Sequence, residues 1–460
     1  MNDGLQEIDI QPADRIAFVH IPKSAGETFS VLVDPLLSGF PRFPKESLET
    51  GARLTPEDVA GYQLFMSHVS HDSFNALLPD GFLMMTVLRD PVRRTISHYH
   101  HLHRLGESTG SPERDAELRR IREMTLEEFV ADDEMSEARI VVNLQTWMLG
   151  GVDPRIGLRF PDRGDLALAK QRLERAAFFG LTERFQDSLF LLSFIFGWPP
   201  IVNSLELNRA PASGRPAALD PGTISLIEKK VGLDLELYEF ARQLFERRFR
   251  AMTRRLTRAY GNGGHPDTQP SVPAETLVDL LQQHYEARRD HRRRAWVRDR
   301  GASYVHRPSS VSEGAFGWYS LEFVSKHGEV RWSGPGLHAG FDLPCPRGPE
   351  VRISFRVLMA LQPDILDGLK LTANGAPTTL TRVKDTDGAA VFSGTIPAEA
   401  TTEPFVRLVF SVPRTVTPRS VLPDNLDERQ LGILLNWVKL EGVGDTSHAA
   451  GTGSPPADHL

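Results

Sequence analysis

The sequence predicts an α/β protein with a parallel sheet flanked by helices, followed by an antiparallel β-sandwich. Two observations predict this fold class. From residue 15 to about residue 260, continuous apolar runs alternate with helical patterns, which is typical of strands buried on both faces of a parallel sheet. From about residue 303 the apolar residues recur at every second position between Gly, Pro, Asn and Asp turns, which is typical of a sandwich.

In the first part, each predicted strand is a short apolar run. The strands are RIAFVHI, LFMSHV, FLMMTVLR and AFFGL. The helical patterns are SAGETFSVLVDPLL, PVRRTISHYHHLHRL, LEEFVADD, ARIVVNLQTWML, DLALAKQRLERA, QDSLFLLSFIFGW and residues 222–258. The alternation of strand and helix predicts crossover connections within one sheet.

The composition changes at the Gly/Pro-rich stretch YGNGGHPDTQPSVP, and a long helix with a basic C-terminal half follows. We expect its arginines to form a solvated helix end rather than an anion-binding patch. The predicted segments are the α/β domain, a linker with the basic helix, the β-sandwich and a disordered tail. In that order they span residues 1–262, 263–302, 303–445 and 446–460.

Composition limits the class of protein further. The net charge of −7 argues against a nucleic-acid partner, so any anion site must be a local group of cations. The single cysteine, Cys345, fits a reducing compartment. The N-terminus lacks the apolar core of a signal peptide, and the longest apolar stretch, LFLLSFIFGW, is too short to span a bilayer. We therefore expect a soluble, cytoplasmic protein without a transmembrane segment.

A lysine-containing loop follows the first predicted strand. It comprises Pro22, Lys23, Ser24, Ala25, Gly26, Glu27 and Thr28. Backbone N–H groups at the start of the next helix would face an anion. Lys23 would add a positive charge, and a Ser or Thr hydroxyl would add a hydrogen-bond donor. The lysine precedes the glycine, so this is not a Walker A loop. The alternative interpretation is an ordinary strand–loop–helix turn with a surface lysine.

A second cationic group follows the strand FLMMTVLR. Asp90 is a natural N-cap and Pro91 suits the first helical position, which places Arg89 at the carboxyl end of the strand. Ser97 lies about two turns further along the helix, towards the Arg89 face. A guanidinium with a hydroxyl suits a phosphate, although Arg89 could also pair with a neighbouring acid. Together the two groups predict a ligand with two separated anionic groups.

These motifs resemble those of the carbohydrate sulfotransferases, heparan-type enzymes that use 3'-phosphoadenosine 5'-phosphosulfate. The resemblance rests on FVHIPKSAGETF and TVLRDPVRRTISHY, with NLQTWMLGG, FFGLTERFQDSLFLL and LELNRAP as further matches. It covers roughly residues 14–250 and implies a P-loop-like α/β fold. It also implies that the first motif binds the 5'-phosphosulfate and the second the 3'-phosphate.

The resemblance extends to weaker candidates and has two departures. Asn208 and Arg209 are candidates for a loop that closes over the nucleotide. His71, Gln145 and Trp147 are candidates for the acceptor cleft. Glu27 stands where the family usually has a small or hydroxylated residue. Trp147 stands where a basic residue is expected, which indicates a less charged acceptor.

His68, at the carboxyl end of the strand LFMSHV, is the candidate general base because an imidazole titrates near neutrality. Its position resembles that of the histidine base in heparan-type sulfotransferases. His71 and Asp72 are rivals, and His20 is expected to be structural. The alternative for His68 is a buried histidine bonded to backbone. No metal is expected, and the histidines of SHYHHLH are expected to lie at the surface.

The C-terminal module resembles β-sandwich modules of some bacterial glycan-modifying enzymes. Its aromatic residues Trp318, Tyr319 and Trp332 could stack on sugars, although we favour a place in the sandwich core. Homo-oligomer formation or docking of a partner are further roles open to the module. Two other functions stay open for the chain: a P-loop-like nucleotide-dependent kinase, and a non-catalytic glycan-binding protein, which Glu27 and Trp147 keep in view.

Overall fold

The computed structural model describes most of the chain. The described residues are 4–11, 13–37, 40–44, 47–48, 54–105, 111–133, 140–151, 159–202, 220–261, 272–297, 301–308, 310, 313–319, 321–385, 387–422, 425 and 427–443. Asn208, Arg209 and the tail 446–460 lie outside them.

The chain divides into two compact units. Unit 1 comprises Met1–Val33 and Arg42–Ala287, and unit 2 comprises Asp34–Pro41 and Arg288–Leu460. The division falls inside the long basic helix, whereas the sequence placed that whole helix in a linker. The four predicted segment boundaries stay a prediction.

Unit 1 contains the parallel sheet expected from the sequence. Its strands are β1 (Ile16–Val19), β2 (Leu64–Ser67), β3 (Leu83–Leu88) and β4 (Phe178–Leu181). They pair in the order β2-β1-β3-β4, and every pair is parallel. The loops that follow β1, β2 and β3 therefore leave from the same edge of the sheet, where ligands bind in such folds.

Helices cover this sheet. Those described are α1 (Gly26–Leu37), α2 (His71–Leu77), α3 (Pro91–Arg104), α4 (Pro112–Glu123), α5 (Leu126–Ala131), α6 (Leu144–Gly150), α7 (Arg163–Arg175), α8 (Phe185–Phe196), α9 (Pro221–Lys230), α10 (Gly232–Tyr260) and α11 (Ala274–Val297). A 3₁₀ turn, Thr182–Arg184, connects β4 to α8. Phe29 of α1 is buried and stacks on Phe18 of β1 at 4.9 Å and on Phe178 of β4 at 5.6 Å between ring centroids, which anchors the first helix to the sheet.

Local signals explain where the helices start and why two expectations differ from the structure. Asp90 caps α3 by accepting from the Arg93 N–H, with Pro91 in the first turn as predicted. The pattern over 222–258 is two helices, because Val231 has φ −110° and ψ 26° and interrupts the helical backbone. Helix α4 was not predicted, since its sequence PERDAELRRIRE is mostly charged; its buried residues are Leu118 and Ile121.

Unit 2 has two antiparallel sheets. Its strands are β5 (Ser303–His306), β6 (Glu313–Phe316), β7 (Glu322–Val324), β8 (Gly328–Trp332), β9 (His338–Pro344), β10 (Glu350–Ala360), β11 (Lys370–Ala373), β12 (Ala376–Thr378), β13 (Thr381–Lys384), β14 (Ala390–Ile396), β15 (Phe405–Ser411) and β16 (Ile433–Val443), with two short helices, α12 (Pro363–Asp367) and α13 (Pro418–Val421). One sheet has the order β13-β14-β10-β16-β8-β7, with β5 also on β16, and the other the order β12-β11-β15-β9-β6.

The two sheets share one apolar core, which confirms the predicted antiparallel β-rich region. Phe355 of β10 and Phe410 of β15 meet edge to face with ring centroids 5.0 Å apart, so side chains of both sheets interdigitate. Trp318 and Trp332 are buried, as the core interpretation expects, and Cys345 is also buried.

None of the helices in the described part of the chain combines the length and the apolar character needed to cross a bilayer.

Candidate active site

The lysine loop after β1 has an unusual backbone. Lys23 and Ala25 have positive φ values of 66° and 59°, a conformation that residues with a Cβ adopt at a cost. Such alternation turns successive N–H groups to one side and forms an anion-binding concavity. The strain falls on Lys23 and Ala25, and Gly26 begins α1.

Gly26 is required by its neighbour His20. A Cβ at position 26 would lie 2.0 Å from Nε2 of His20, so the imidazole occupies the space that a side chain would need. The His20 ring also packs against His68, with ring centroids 4.1 Å apart. His20 is buried between the loop and the second strand, in agreement with the structural role expected for it.

Arg89 meets the lysine loop. Its Nη1 donates to the backbone oxygen of Lys23 over 2.9 Å, which joins the end of β3 to the loop after β1. Burial lowers the pKa of Lys23. Glu27 opposes this shift, and Arg104 and Arg89 lower the pKa further. Burial also lowers the pKa of Arg89. The two cations predicted from separate motifs therefore lie at one edge of the sheet.

Two buried polar atoms at this edge have no hydrogen-bond partner among the described residues. They are Oγ of Ser24 and Nε of Arg89. Buried donors without acceptors are rare in folded proteins, and an anionic ligand would satisfy both. Thr28 is also buried, whereas Glu27 is exposed and lies in the first turn of α1, where a carboxylate favours the helix dipole.

Ser97 lies on α3 and is half-buried. His101 and Arg104 follow it at helical spacings of four and seven, so the three side chains share one face. Arg104 lowers the pKa of Lys23, and Lys23 in turn contributes to the lowered pKa of His101, which is due first to burial. The sequence missed His101 and Arg104, although the spacing from Ser97 could have identified them.

His68 lies half-buried beyond β2. Its Nδ1 is 2.8 Å from the backbone oxygen of His20. Because a carbonyl oxygen only accepts, Nδ1 carries the proton and the lone pair is on Nε2. This backbone bond was the alternative expected for a structural histidine, yet it also selects the tautomer that a general base needs.

The rival bases have different surroundings. Asp72 is bonded to Arg172, whose Nη1 also donates to the Leu149 oxygen over 2.8 Å. Burial, together with Arg172, lowers the pKa of His71 to about 4 although Asp72 opposes this shift. A group with this pKa accepts protons poorly near neutrality.

Some side chains of the acceptor candidates and of the histidine cluster are buried. Trp147 is half-buried, while Gln145 is fully buried and bonded to the backbone of Arg89. The histidines of α3 were expected at the surface, but His98 is buried and His103 packs on Tyr99 with centroids 4.3 Å apart. In the described part of the chain, no three His, Cys, Asp or Glu side chains are arranged to hold a metal ion.

The fold and this edge place two cations in an α/β domain, and part of the chain is similar to known proteins. Residues 6–152 match the model of the Sulfotransferase family. Heparan-sulfate 6-O-sulfotransferase 1 from Homo sapiens is 32% identical over 197 residues, which cover 39% of this chain and 47% of the relative.

A second relative has a similar name. Heparan-sulfate 6-O-sulfotransferase 1-B from Danio rerio is 28% identical over 229 residues, covering 44% of this chain and 55% of the relative. The chain thus spans about half the length of the curated relatives it matches. Among solved structures, a family 35 carbohydrate binding module from Clostridium thermocellum has 9% identity and a TM-score of 0.20, covering 31% of this chain and 99% of the module. This score supports no statement about fold or function.

Proposed function

We propose that the protein is a sulfotransferase that moves a sulfuryl group from 3'-phosphoadenosine 5'-phosphosulfate to a hydroxyl of a glycan or related acceptor. The observation that carries the proposal is the 2.9 Å bond between Arg89 and the Lys23 carbonyl, which brings two anion-binding groups to one sheet edge. The family of residues 6–152 and the names of its relatives support this assignment.

In this proposal, the loop residues 22–28 bind the 5'-phosphosulfate, with Lys23 as the cation and Ser24 as a hydroxyl donor. Arg89 and Ser97 bind the 3'-phosphate. The partnerless Ser24 Oγ and Arg89 Nε fit a ligand with an anionic group at each end. A guanidinium edge binds phosphate through two parallel hydrogen bonds, which is stronger than a single contact.

His68 is proposed as the general base. Its Nε2 takes the proton of the acceptor hydroxyl while that oxygen forms a bond to sulfur. The bond between sulfur and the bridging phosphate oxygen breaks, and the Lys23 ammonium neutralises the charge left on that oxygen. No proton is left over, because His68 holds the one released by the acceptor. The lowered pKa of His71 supports His68 over that rival.

The remaining assignments are also part of the proposal. Trp147 and His71 are assigned to the acceptor side, where a tryptophan in place of a cation suits a weakly charged glycan. Asn208 and Arg209 are assigned to nucleotide closure. The presence of one cysteine in the sequence, Cys345, supports a reducing, cytoplasmic location. The β-sandwich is assigned to docking of a partner or a second copy.

Two assays test the function. Labelled sulfate is offered on the donor nucleotide with a panel of glycans, and transfer to at least one of them is expected. Thermal shifts are then compared for adenosine 3',5'-bisphosphate and for ATP with magnesium. Stabilisation by the bisphosphate alone is expected. Stabilisation by ATP would indicate the kinase. If neither nucleotide stabilises the protein, the non-catalytic glycan-binding protein is indicated.

A further inference from the structure

The side chain of Gln145 holds both backbone groups of Arg89. Its Oε1 accepts from the Arg89 N–H over 3.0 Å, and its Nε2 donates to the Arg89 oxygen over 2.8 Å. Arg89 is the first residue after β3, where ladder hydrogen bonds have ended. Gln145 is fully buried and the bonds to Arg89 are part-buried, so water competes weakly for the Gln145 amide.

Gln145 is itself held from the opposite side. The backbone N–H groups of Gln145 and Thr146 donate to the carboxylate of Asp234 over 3.1 and 2.7 Å. The N–H groups of Leu233 and Asp234 donate to Oδ1 of Asn143 over 2.9 and 3.0 Å. Helices α6 and α10 therefore cap each other reciprocally, which fixes the start of α6.

The charge of Asp234 is also matched. Arg94 is fully buried, donates to the Val141 oxygen over 3.1 Å, and acts on the Asp234 carboxylate electrostatically. Burial raises the pKa of Asp234 while Arg94 opposes that shift. The support behind Gln145 is thus a buried network that joins two helices to the end of β3.

At the other end of this network, the guanidinium of Arg89 is held on one side. Nη1 donates to the Lys23 carbonyl, and among the described residues Nε has no partner. With the backbone fixed by Gln145 and Nη1 fixed by the loop, the edge formed by Nε and Nη2 is left for an anion. Loss of the Gln145 bonds would leave two buried backbone groups unsatisfied and release this orientation.

We propose that Gln145 is a positioning residue that holds Arg89 in the orientation needed to select a nucleotide with a 3'-phosphate. The inference rests on the proposed function and adds to it a residue whose amide contacts no part of the ligand. It replaces the assignment of Gln145 to the acceptor cleft, because both ends of its amide are used by Arg89.

The test measures how strongly the protein discriminates between two nucleotides. Isothermal titration gives the affinities for adenosine 3',5'-bisphosphate and adenosine 5'-monophosphate, which lacks the 3'-phosphate. For Gln145→Met, a substitution of similar length without hydrogen bonds, we expect the bisphosphate to bind about tenfold more weakly. The monophosphate affinity should change less than about twofold, because the lysine loop is intact.

The control is Gln186→Met. Gln186 lies in α8, and its amide donates to the Ile201 oxygen over 2.9 Å. It should leave both affinities unchanged. If Gln145→Met does not fold, Gln145→Asn is used, which keeps a buried amide but is too short to reach Arg89. A preserved ratio of the two affinities, or an equal loss of both, would overturn the positioning role while the proposed function stands. A wild-type protein that binds both nucleotides equally would overturn the proposed function itself.

Discussion

Arg89 at the edge of the parallel sheet differs from Arg356 and Arg407 of the β-sandwich in what its guanidinium group contacts. Among the described residues, Arg89 of unit 1 donates from its guanidinium to a backbone carbonyl, and its buried Nε has no acceptor. In unit 2, Arg356 bonds to Asp385 over 2.9 Å and also to Asp387, and Arg407 bonds to Asp342 over 2.7 Å.

The difference shows which charges act within the protein and which are available to a ligand. An arginine paired with a carboxylate is already neutralised and acts on stability. Arg89 is bonded to a carbonyl, and Glu183 and Asp90 act on it electrostatically, so an external anion can still bind its guanidinium. Changes at the two places should therefore affect different measurements.

The largest effect on activity is expected from a substitution at Lys23. Lys23→Ala should lower kcat for sulfate transfer about 100- to 1000-fold, because the charge on the leaving oxygen loses its cation. The melting temperature should stay within about two degrees of the wild type. The matched control is Lys439→Ala in unit 2, where Lys439 pairs with Glu441 over 2.7 Å. Near-normal turnover of Lys23→Ala would contradict the mechanism.

The next effect is on His68. His68→Gln should lower kcat about 100-fold, since general-base catalysis is lost while a polar side chain remains. The affinity for adenosine 3',5'-bisphosphate should not change, because His68 is assigned to the acceptor side. His100→Gln on the exposed side of α3 is the control. Equal kcat values for the two variants would exclude His68 as the base.

A pair of arginine variants separates ligand binding from stability. Arg89→Met should weaken binding of the bisphosphate tenfold to about 100-fold. Arg407→Met should leave binding unchanged and lower the free energy of unfolding by about 1–3 kcal/mol, because the buried Asp342 carboxylate loses its ion pair. Calorimetry measures both quantities in each variant. If both variants changed the same quantity, the contrast between the two regions would be wrong.

The smallest effect concerns pH. The pKa of His71 is lowered to about 4 by burial first, so below its ordinary value the unfolded chain binds the proton more readily than the folded one. The contribution of His71 to the free energy of unfolding is therefore fully present above about pH 6.5. It is lost as the pH falls towards 4. Denaturant unfolding at several pH values should show His71→Gln reducing this acid-dependent loss by about 1 kcal/mol or more. An unchanged pH dependence would contradict this assignment.

Local sequence signals predicted the strands, the cap at Asp90 and the two cationic motifs of unit 1, because each depends on residues close together in the chain. The placement of Lys23 and Arg89 at one edge of the sheet followed from strand adjacency, whereas the bond between Arg89 and the Lys23 carbonyl was not predicted. The role of Gln145 could not be predicted, since its contacts reach Arg89 and Asp234 from distant segments. Positive φ at Lys23 and Ala25 was also unpredictable, because glycine next to them is the residue that usually adopts it.

The most direct test of the account is a crystal structure of the protein with adenosine 3',5'-bisphosphate. We expect one nucleotide with its 5'-phosphate against Lys23 and Ser24 and its 3'-phosphate against Arg89 and Ser97. A nucleotide that contacts Lys23 but leaves Arg89 without a phosphate, or that binds elsewhere, would contradict the claim that both cations hold the same ligand.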